Sequence, residues 1–481
     1  MPEVTGAPGG AGAAAGSAAA GRPPVAEEGR QPLLVYAVAA VSALGGLLFG
    51  YDTGIISGAL LDLREDFSLS SREQEWVVSV ILVGAMVGAL VSGRLSQRHG
   101  RRRVVMAVAV VFGLGAVAAA VATGTTTLIL ARFVLGLAVG GASNMVPVYI
   151  AEMAPPAIRG RLMVLFQLMV AIGQLISYLC GWALADSGGW RVMFGLAVIP
   201  AVVLVVGMTM LPESPRWLVE HGRRDQARSV LERLRPPGSD IDAEIRDIAA
   251  VSEGESGASW RELRRPWLRP ALVVAVGIAA FSQLTGINAI VYYAPTILAD
   301  AGFGDSVALL TGVGIGVMLV AAGVSGAILV DKAGRRRTML WFLPGSGLAM
   351  AVLGLAFLGG DGTAWQRWTV ILSLFVYILF NGIGMQSVVW LIGPEVLPLR
   401  VRGPAMSLAT LSVWGFDLLI AVTALSAINA MGRSGLFFIY ALMNAACIVF
   451  TLRRVPETRG RSLEEIEQAL LRDRPGRAAA A

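Results

Sequence analysis

Charged and metal-binding side chains are scarce in this chain of 481 residues, of which only 15% are Asp, Glu, Lys or Arg. There are two histidines, two cysteines and a single lysine, Lys332. So little charge excludes a water-soluble globule, because 55% of the residues are hydrophobic and the mean hydropathy is +0.68. The sequence therefore predicts a protein whose solvent is lipid.

The few cysteines and histidines exclude several kinds of site. Cys180 and Cys447 both lie in apolar stretches that oxidising enzymes do not easily reach, so we expect no structural disulfide. His99 and His221 lie in polar segments, no metal-ligand cluster occurs in the apolar stretches, and no nucleophile stands beside a base in sequence. An enzyme is the least favoured class, and we expect neither a cofactor nor a bound metal.

Long apolar runs dominate the sequence instead. About twelve stretches approach or exceed the ~20 residues that cross a ~30 Å hydrocarbon layer. They are 33–60, 76–96, 103–123, 127–150, 162–185, 191–211, 269–298, 308–330, 337–359, 366–392, 404–427 and 433–452. We predict an all-α membrane protein with twelve transmembrane helices. Residues 1–30 are rich in Ala, Gly and Pro and lack a signal-peptide core, so we expect a disordered tail there.

The net charge of +6 and the pI near 9.7 reflect arginines that are concentrated in alternate loops. In a soluble protein such a charge would suggest a nucleic-acid partner, whereas in this chain it is a signal of membrane topology. The positive-inside rule places the arginine-rich loops, and with them both termini, in the cytoplasm. Heavy use of Ala, Gly and Arg suggests a GC-rich genome and hence a bacterial inner membrane.

A long polar segment, 212–268, divides the spans six and six and carries charged stretches typical of short amphipathic helices at a membrane face. Motifs recur across it at an offset of about 240 residues: Gly100-Arg101-Arg102-Arg103 with Gly334-Arg335-Arg336-Arg337, Glu152 with Glu395, Arg159-Gly160 with Arg402-Gly403, and Pro212-Glu213-Ser214 with Pro456-Glu457-Thr458. We therefore predict two related six-helix bundles, 31–211 and 269–455, joined by a cytoplasmic helical linker and followed by a cytoplasmic tail at 456–481.

Two oppositely charged side chains lie inside predicted spans. An ionised carboxylate at Asp52 costs at least ~2.5 kcal/mol in a membrane, so it must be paired, protonated or exposed to water, and Arg132 is similarly constrained. The two provide a cycle in which Asp52 is ionised against Arg132, takes up a proton and releases it. A fixed structural ion pair is the alternative.

Amide side chains recur inside the spans as well. Gln167 and Gln174 lie on one face of the fifth span, and Gln283 and Asn288 flank Gly286, which can interrupt the seventh helix. Amides both donate and accept hydrogen bonds, as hydroxyl-rich ligands do, so we expect them to face a polar cavity near the midplane. Hydrogen bonds between helices are the alternative.

Six motifs in combination resemble the sugar porter family of the major facilitator superfamily, over about residues 40–465. They are Gly50-Tyr51-Asp52-Thr53-Gly54, Gly93-Arg94 to Arg102, Arg132, Pro212-Glu213-Ser214-Pro215-Arg216-Trp217-Leu218, Gln283-Leu284-Thr285-Gly286-Ile287-Asn288 and Pro456-Glu457-Thr458-Arg459-Gly460. The resemblance implies the major facilitator fold and transport of a sugar or related polyol by alternating access. An Asp in the first motif resembles the proton-coupled members, whereas uniporters of the family carry a neutral residue there.

The resemblance also implies roles for individual side chains. Four amides match sugar-contacting positions of the family: Gln167, Gln174, Gln283 and Asn288. Trp390 and Trp414 lie inside the tenth and eleventh spans, where they are candidates for stacking on a sugar ring, with core or lipid packing as the alternative. Tyr292 and Tyr293 resemble the extracellular gate residues of the family, although tyrosine is also common at membrane interfaces.

Charges in the arginine-rich loops resemble the inner-face network of the family. Its members are Arg101, Arg102, Glu152, Arg159, Glu213 and Arg216 in the first half and Arg335, Glu395, Arg402, Glu457 and Arg459 in the second. Their bridges are expected to close the cytoplasmic side in the outward-open state and to break as the halves rock. Exposed ion pairs contribute only ~0 to 1 kcal/mol each, so only the network as a whole can bias the equilibrium between the two states. The alternative is a set of solvated charges that determine topology.

The second half departs from the family pattern. Ser282 stands where a second Gln is usual, Leu319 where an Asn is expected, and Val413 where an amide is common, so hydrogen-bonding capacity is lost. Gln386 lies at a usual Gly-Pro site, and Asp417 occupies a position that resembles Asn in relatives. Both are additional candidate site residues. We expect Asp417 to bind a substrate amine or a second proton, unless it is a protonated or Arg-paired structural acid.

The favoured function is symport of a sugar or related polyol with a proton, in a lipid bilayer and with the monomer as the working unit. A facilitator of the same fold is the nearest alternative. A non-transporting sugar receptor is disfavoured by the short tails, and a drug/proton antiporter is left open by the lost amides of the second half. Counterflow and the sign of solute-driven proton movement separate these functions.

Overall fold

The computed structural model describes residues 32–155, 158–185, 189–254, 260–359, 363–398 and 401–459. Within these ranges every regular element is helical. The tail predicted at 1–30 and residues 460–481 of the predicted C-terminal tail lie outside the described residues.

Eleven helical segments of the described ranges are long and apolar enough to cross a membrane. They are Leu33–Asp66, Ser71–His99, Arg101–Ala120, Thr125–Met153, Arg159–Leu184, Trp190–Met210, Pro266–Asp300, Asp305–Ala333, Arg335–Leu358, Ala364–Val396 and Arg402–Arg454. The last has 53 residues and bends at Gly432, whose φ of 77° and ψ of 166° are not helical. Residues 402–431 and 433–454 therefore form two spans, and the predicted count of twelve is confirmed. The spans are numbered 1 to 12 in chain order.

The segment between spans 6 and 7 lies at one end of the bundle, which we term the linker face. Its helices are Pro215–Glu220, Arg224–Leu234 and Ile241–Gly254. Two hydrogen bonds attach it to the first half: Trp217 Nε1 donates to the Gln97 carbonyl at 2.9 Å, and Arg235 Nη1 donates to the Met153 carbonyl at 3.0 Å. The opposite end of the spans is termed the far face.

Close packing between spans 1 and 5 depends on glycine. A Cβ on Gly50 would lie 2.7 Å from the carbonyl carbon of Val170 and 2.9 Å from its Cα, and closer still to its oxygen. Spans 2 and 4 meet in the same way, where Gly140 faces the carbonyl of Ala85. Small residues allow helix backbones to approach closely in a membrane. These contacts place span 1, which carries Asp52, against span 5, and span 4, which carries Arg132, against span 2.

Two spans of the second half are irregular near mid-length. Span 7 consists of Arg269–Leu284 and Ile287–Asp300, separated at Gly286, whose φ of +95° lies in the left-handed region. The sequence predicted this break, and a Cβ there would also lie 2.6 Å from the Tyr440 ring. Span 10 contains a π-helical turn at Gly382–Gln386. Such irregular turns are frequent at functional sites, and inside a membrane they occur where protein or a cavity surrounds them.

Candidate functional site

Asp52 and Arg132 meet in the interior of the first half. Nη1 of Arg132 lies 3.4 and 3.5 Å from the two carboxylate oxygens of Asp52, and the side chains are 1% and 2% exposed respectively. Nε of Arg132 donates to the carbonyl of Val77 on span 2 at 3.0 Å, and the guanidinium carbon lies 6.0 Å from the centroid of the Phe194 ring. Arg132 therefore has partners that do not depend on the charge of Asp52.

Asp52, in contrast, has Arg132 as its sole side-chain hydrogen-bond partner among the described residues. Tight guanidinium–carboxylate contacts are ~2.7 to 2.9 Å long, so distances of 3.4 and 3.5 Å describe a loose pair. A proton can neutralise a carboxylate in such a pair while the arginine keeps its bond to span 2.

The predicted amides lie on two spans that each pack against the opposite half, span 5 on span 8 and span 7 on span 1. On span 5, Gln167 is exposed and Gln174 is buried. On span 7, Nδ2 of Asn288 donates to Oε1 of Gln283 at 2.7 Å, and Nε2 of Gln283 donates to the Ser282 hydroxyl at 3.1 Å. The break at Gly286 thus brings the two span-7 amides together as one hydrogen-bonded unit.

A polar network that sequence reasoning missed continues from this unit into spans 9, 10 and 12. Nε2 of Gln386 donates to the Ser282 carbonyl at 3.0 Å and to Oδ1 of Asn381 at 3.3 Å. The Ser346 hydroxyl donates to Oδ1 of Asn444 at 2.8 Å. Isolated amides within apolar spans were the available signal for Asn381 and Asn444. Asn381 and Asn444 supply hydrogen-bonding groups in the second half. The residues at Ser282 and Leu319 had suggested that such groups were lost there.

The two candidate tryptophans differ in their surroundings. Trp414 is 5% exposed, and its ring centroid lies 5.8 Å from that of Phe49 on span 1. Trp414 therefore belongs to the interface between the halves. Trp390 is 43% exposed and is not enclosed by protein.

Tyr292 and Tyr293 attach the second part of span 7 to span 11. The Tyr292 hydroxyl donates to Oδ2 of Asp417 at 3.2 Å, and the Tyr293 hydroxyl donates to the Ala421 carbonyl at 2.6 Å. Asp417 is 4% exposed, and its Oδ1 has no hydrogen-bond partner among the described residues. No arginine or lysine nitrogen of the described ranges lies within 4.0 Å of it. In this structure Asp417 is therefore not paired with an arginine of the described ranges, and its Oδ1 lacks a hydrogen-bond partner there.

Charges at the linker face form one cluster in each half. In the first half, Nε of Arg101 lies 3.1 Å from Oε2 of Glu152, and the Ser214 hydroxyl donates to the same carboxylate. The equivalent residues of the second half are Arg335, Glu395 and Thr458, with Arg335 Nη2 at 2.7 Å from Glu395 Oε1 and the Thr458 hydroxyl at 2.6 Å from Glu395 Oε2. The recurring motifs of the sequence thus correspond to recurring contacts.

Glu213 and Glu457 cap helices. Oε1 of Glu213 accepts from the backbone N–H of Arg102 at 3.0 Å, and Oε1 of Glu457 accepts from that of Arg335 at 2.9 Å. A carboxylate at this position satisfies free N–H groups at the start of a helix. The other arginines of the expected network contact backbone carbonyls or a neighbouring acid: Arg102 with Met208, Arg159 with Ala154, Arg402 with Leu397, Arg459 with Lys332, and Arg216 with Glu220.

Hydrogen bonds between the two halves, taken over pairs of described residues, all lie toward the far face. They join Arg64 to Asp300, Tyr178 to Val291, Ser426 to Glu75 and Asn429 to Ser71. The linker-face clusters, in contrast, lie within single halves. Among the described residues, the halves are therefore joined by hydrogen bonds at the far face and by none at the linker face.

Comparison with known proteins agrees with this geometry. The sequence matches the family described as "Sugar (and other) transporter" over residues 38–470. It is 41% identical over 442 residues to a D-xylose transporter of Levilactobacillus brevis, covering 91% of this chain and 96% of that protein. It is 36% identical over 439 residues to the arabinose-proton symporter of Escherichia coli, covering 90% and 93%.

The fold is similar to that of the xylose transporter from Escherichia coli in its inward-open conformation, with a TM-score of 0.78, 28% identity, and coverage of 90% of this chain and 99% of the other. The similarity extends over both bundles. Together with the motifs and the paired charges of span 1 and span 4, it shows that this chain belongs to the family of sugar (and other) transporters.

Proposed function

We propose that this chain carries a sugar or related polyol together with a proton across the cytoplasmic membrane, by alternating access and as a monomer. The arginine-rich linker face is cytoplasmic in this proposal, by the positive-inside rule. The structure then represents an inward-open state, with the far face closed to the outside. The names of the relatives, among them a D-xylose transporter and an arabinose-proton symporter, support this substrate class.

The observation that carries the proposal is the buried, loose pair of Asp52 and Arg132. An acid that is 2% exposed in a membrane span and 3.4 Å from a guanidinium is neutral or ionised according to small changes in its surroundings. In the outward-open state Asp52 takes up a proton from the outside. When the halves rock, water reaches Asp52 from the cytoplasmic side instead, and the nearby guanidinium of Arg132 favours the ionised form, so the proton leaves toward the cytoplasm.

Sugar binding is assigned to the amides at the interface of the halves. Gln167 and Gln174 belong to the rigid first bundle, whereas Gln283 and Asn288 flank the break in span 7. A hydroxyl-rich ligand that bridges these two groups would draw the halves together. Trp414 contributes an aromatic surface at the same interface. A ligand that binds both halves thereby lowers the free energy of the occluded states through which the cycle passes.

The coupling is tested with Asp52→Asn in proteoliposomes, with D-xylose and D-glucose as substrates. Asn imitates the protonated acid but cannot release a proton. We expect the variant to retain counterflow exchange and to lose accumulation driven by a pH gradient. One proton that moves through 100 mV supplies ~2.3 kcal/mol, or roughly fiftyfold accumulation of a neutral sugar.

Glu65→Gln is the matched control, because Glu65 is an exposed acid on the same span. It should accumulate sugar as the wild type does. Accumulation by Asp52→Asn under a pH gradient would refute the coupling role. A wild type that exchanges sugar without accumulating it would indicate a facilitator, and failure of counterflow would indicate a receptor.

A further inference from the structure

Glu75 is a buried acid that neither the coupling pair nor the amide site uses. It lies in the first turns of span 2 at the far face, one residue before the stretch that hydropathy predicts as a span, and it is 0% exposed. Among the described residues no arginine, lysine or histidine nitrogen lies within 4.0 Å of its carboxylate. A buried carboxylate without a cation is costly unless hydrogen-bond donors satisfy it.

The carboxylate of Glu75 accepts two hydrogen bonds, and both donors belong to one residue of the opposite half. The backbone N–H of Ser426 on span 11 donates to Oε1 of Glu75 at 2.6 Å, and the Ser426 hydroxyl donates to Oε2 at 2.7 Å. One turn away on both spans, Nδ2 of Asn429 donates to the Ser71 hydroxyl at 3.2 Å. Short bonds from neutral donors to a carboxylate are among the stronger hydrogen bonds of proteins. Three hydrogen bonds therefore join one face of span 2 to one face of span 11 at the far face.

We propose that Glu75 is a positioning residue of the transport cycle, which holds the far side of the substrate pathway closed by binding Ser426. The inference rests on the alternating access of the proposed function. When the far face opens, spans 2 and 11 must separate there, and Glu75 exchanges both bonds for water. The strength of this contact then sets the ratio of the far-closed to the far-open state.

Glu75→Ala removes both bonds and should raise the far-open fraction relative to the far-closed one by about tenfold, equivalent to ~1.4 kcal/mol. Sugar that binds from the far side should then show a lower apparent Kd, because a larger fraction of the protein is competent to bind it. The maximal rate should fall, since reclosure of the far face is less favourable. A purely structural defect would not improve far-side affinity.

The direct readout is a distance between spin labels at the far face, in a protein without native cysteines (Cys180→Ser and Cys447→Ala). Labels are attached at Arg72→Cys and Ala430→Cys, both exposed, on spans 2 and 11. We expect Glu75→Ala to move the population to longer distances. The measurement needs no sugar, so it remains informative if the proposed function fails in a transport assay.

Three further variants complete the test. Glu73→Gln is the control, because Glu73 is exposed, forms a capping box with Ser70 and can be replaced by Gln at that position. Ser426→Ala keeps the backbone donor and should give a smaller shift than Glu75→Ala, and it serves in its place if Glu75→Ala does not fold. Glu75→Gln, whose amide can bind both groups, should shift least. Distances in Glu75→Ala or Ser426→Ala that equal those of Glu73→Gln would overturn the proposal.

Discussion

The contact between spans 1 and 5 can be tested with a single methyl group at Gly50. An Ala side chain there would place a carbon 2.7 Å from the carbonyl carbon of Val170 and 2.9 Å from its Cα. Carbon atoms in contact are normally ~3.5 to 4.0 Å apart, so the two helices must separate by about 1 Å. Backbone atoms cannot turn aside as a side chain can.

The expected cost follows from these distances. Overpacking of this kind costs ~1 to 3 kcal/mol, and the clash with backbone puts Gly50→Ala at the upper end. Replacing a helical Gly by Ala returns up to ~1 kcal/mol of helix propensity, which leaves a net loss of about 2 kcal/mol. Because Asp52 is two residues away, a displaced span 1 should also disturb its contact with Arg132 and reduce proton-driven uptake.

Thermal unfolding in detergent, followed by intrinsic fluorescence, measures the stability of Gly50→Ala. Gly323→Ala is the matched control, because a Cβ on Gly323 meets nothing within 4 Å and the position is also inside a span. We expect the control to unfold at or above the wild-type temperature and Gly50→Ala to unfold below it. If Gly50→Ala were as stable and as active as Gly323→Ala, the close approach of spans 1 and 5 would be incorrect.

The remaining predictions concern the helix caps and the second acid. Glu213→Ala and Glu457→Ala should each destabilise the protein by ~1 kcal/mol, because each leaves the first N–H groups of a span without their acceptor; unchanged melting temperatures would refute the capping role. Asp417→Asn should change either the range of transported solutes or the pH dependence of uptake. The solutes tested should include amino sugars. If both match the wild type, the unsatisfied oxygen of Asp417 has no role in transport.

The parts of the fold that the sequence predicts are those that the membrane itself imposes. The thickness of the hydrocarbon layer sets the minimum length of each apolar run, so the twelve spans could be located from the positions of these runs in the sequence. The cost of a lone charge in lipid singled out Asp52 and Arg132, and the structure brings them together. The break at Gly286 was likewise expected, since a glycine between two amides in an apolar span can interrupt a helix, and the structure shows this interruption.

Features that depend on contacts between distant spans could not be predicted in this way. Glu75 lies at the edge of an apolar run and resembles a solvated loop residue, and its burial depends on a helix 351 residues away in sequence. The helix caps formed by Glu213 and Glu457 were also not predictable, because each acid is more than 100 residues away in sequence from the helix start that it caps. Periodicity shows which residues are polar, but only the tertiary arrangement shows which groups satisfy them.

The most direct test of the account is whether sugar movement itself carries protons. Proteoliposomes that contain the wild-type protein and a trapped pH-sensitive dye receive D-xylose or D-glucose from outside, without an imposed pH gradient. Symport predicts that the lumen acidifies as the sugar enters, at one proton per sugar, and that Asp52→Asn gives sugar exchange without acidification. Sugar entry by the wild type with no change in luminal pH, or with a change toward alkaline pH, would contradict it.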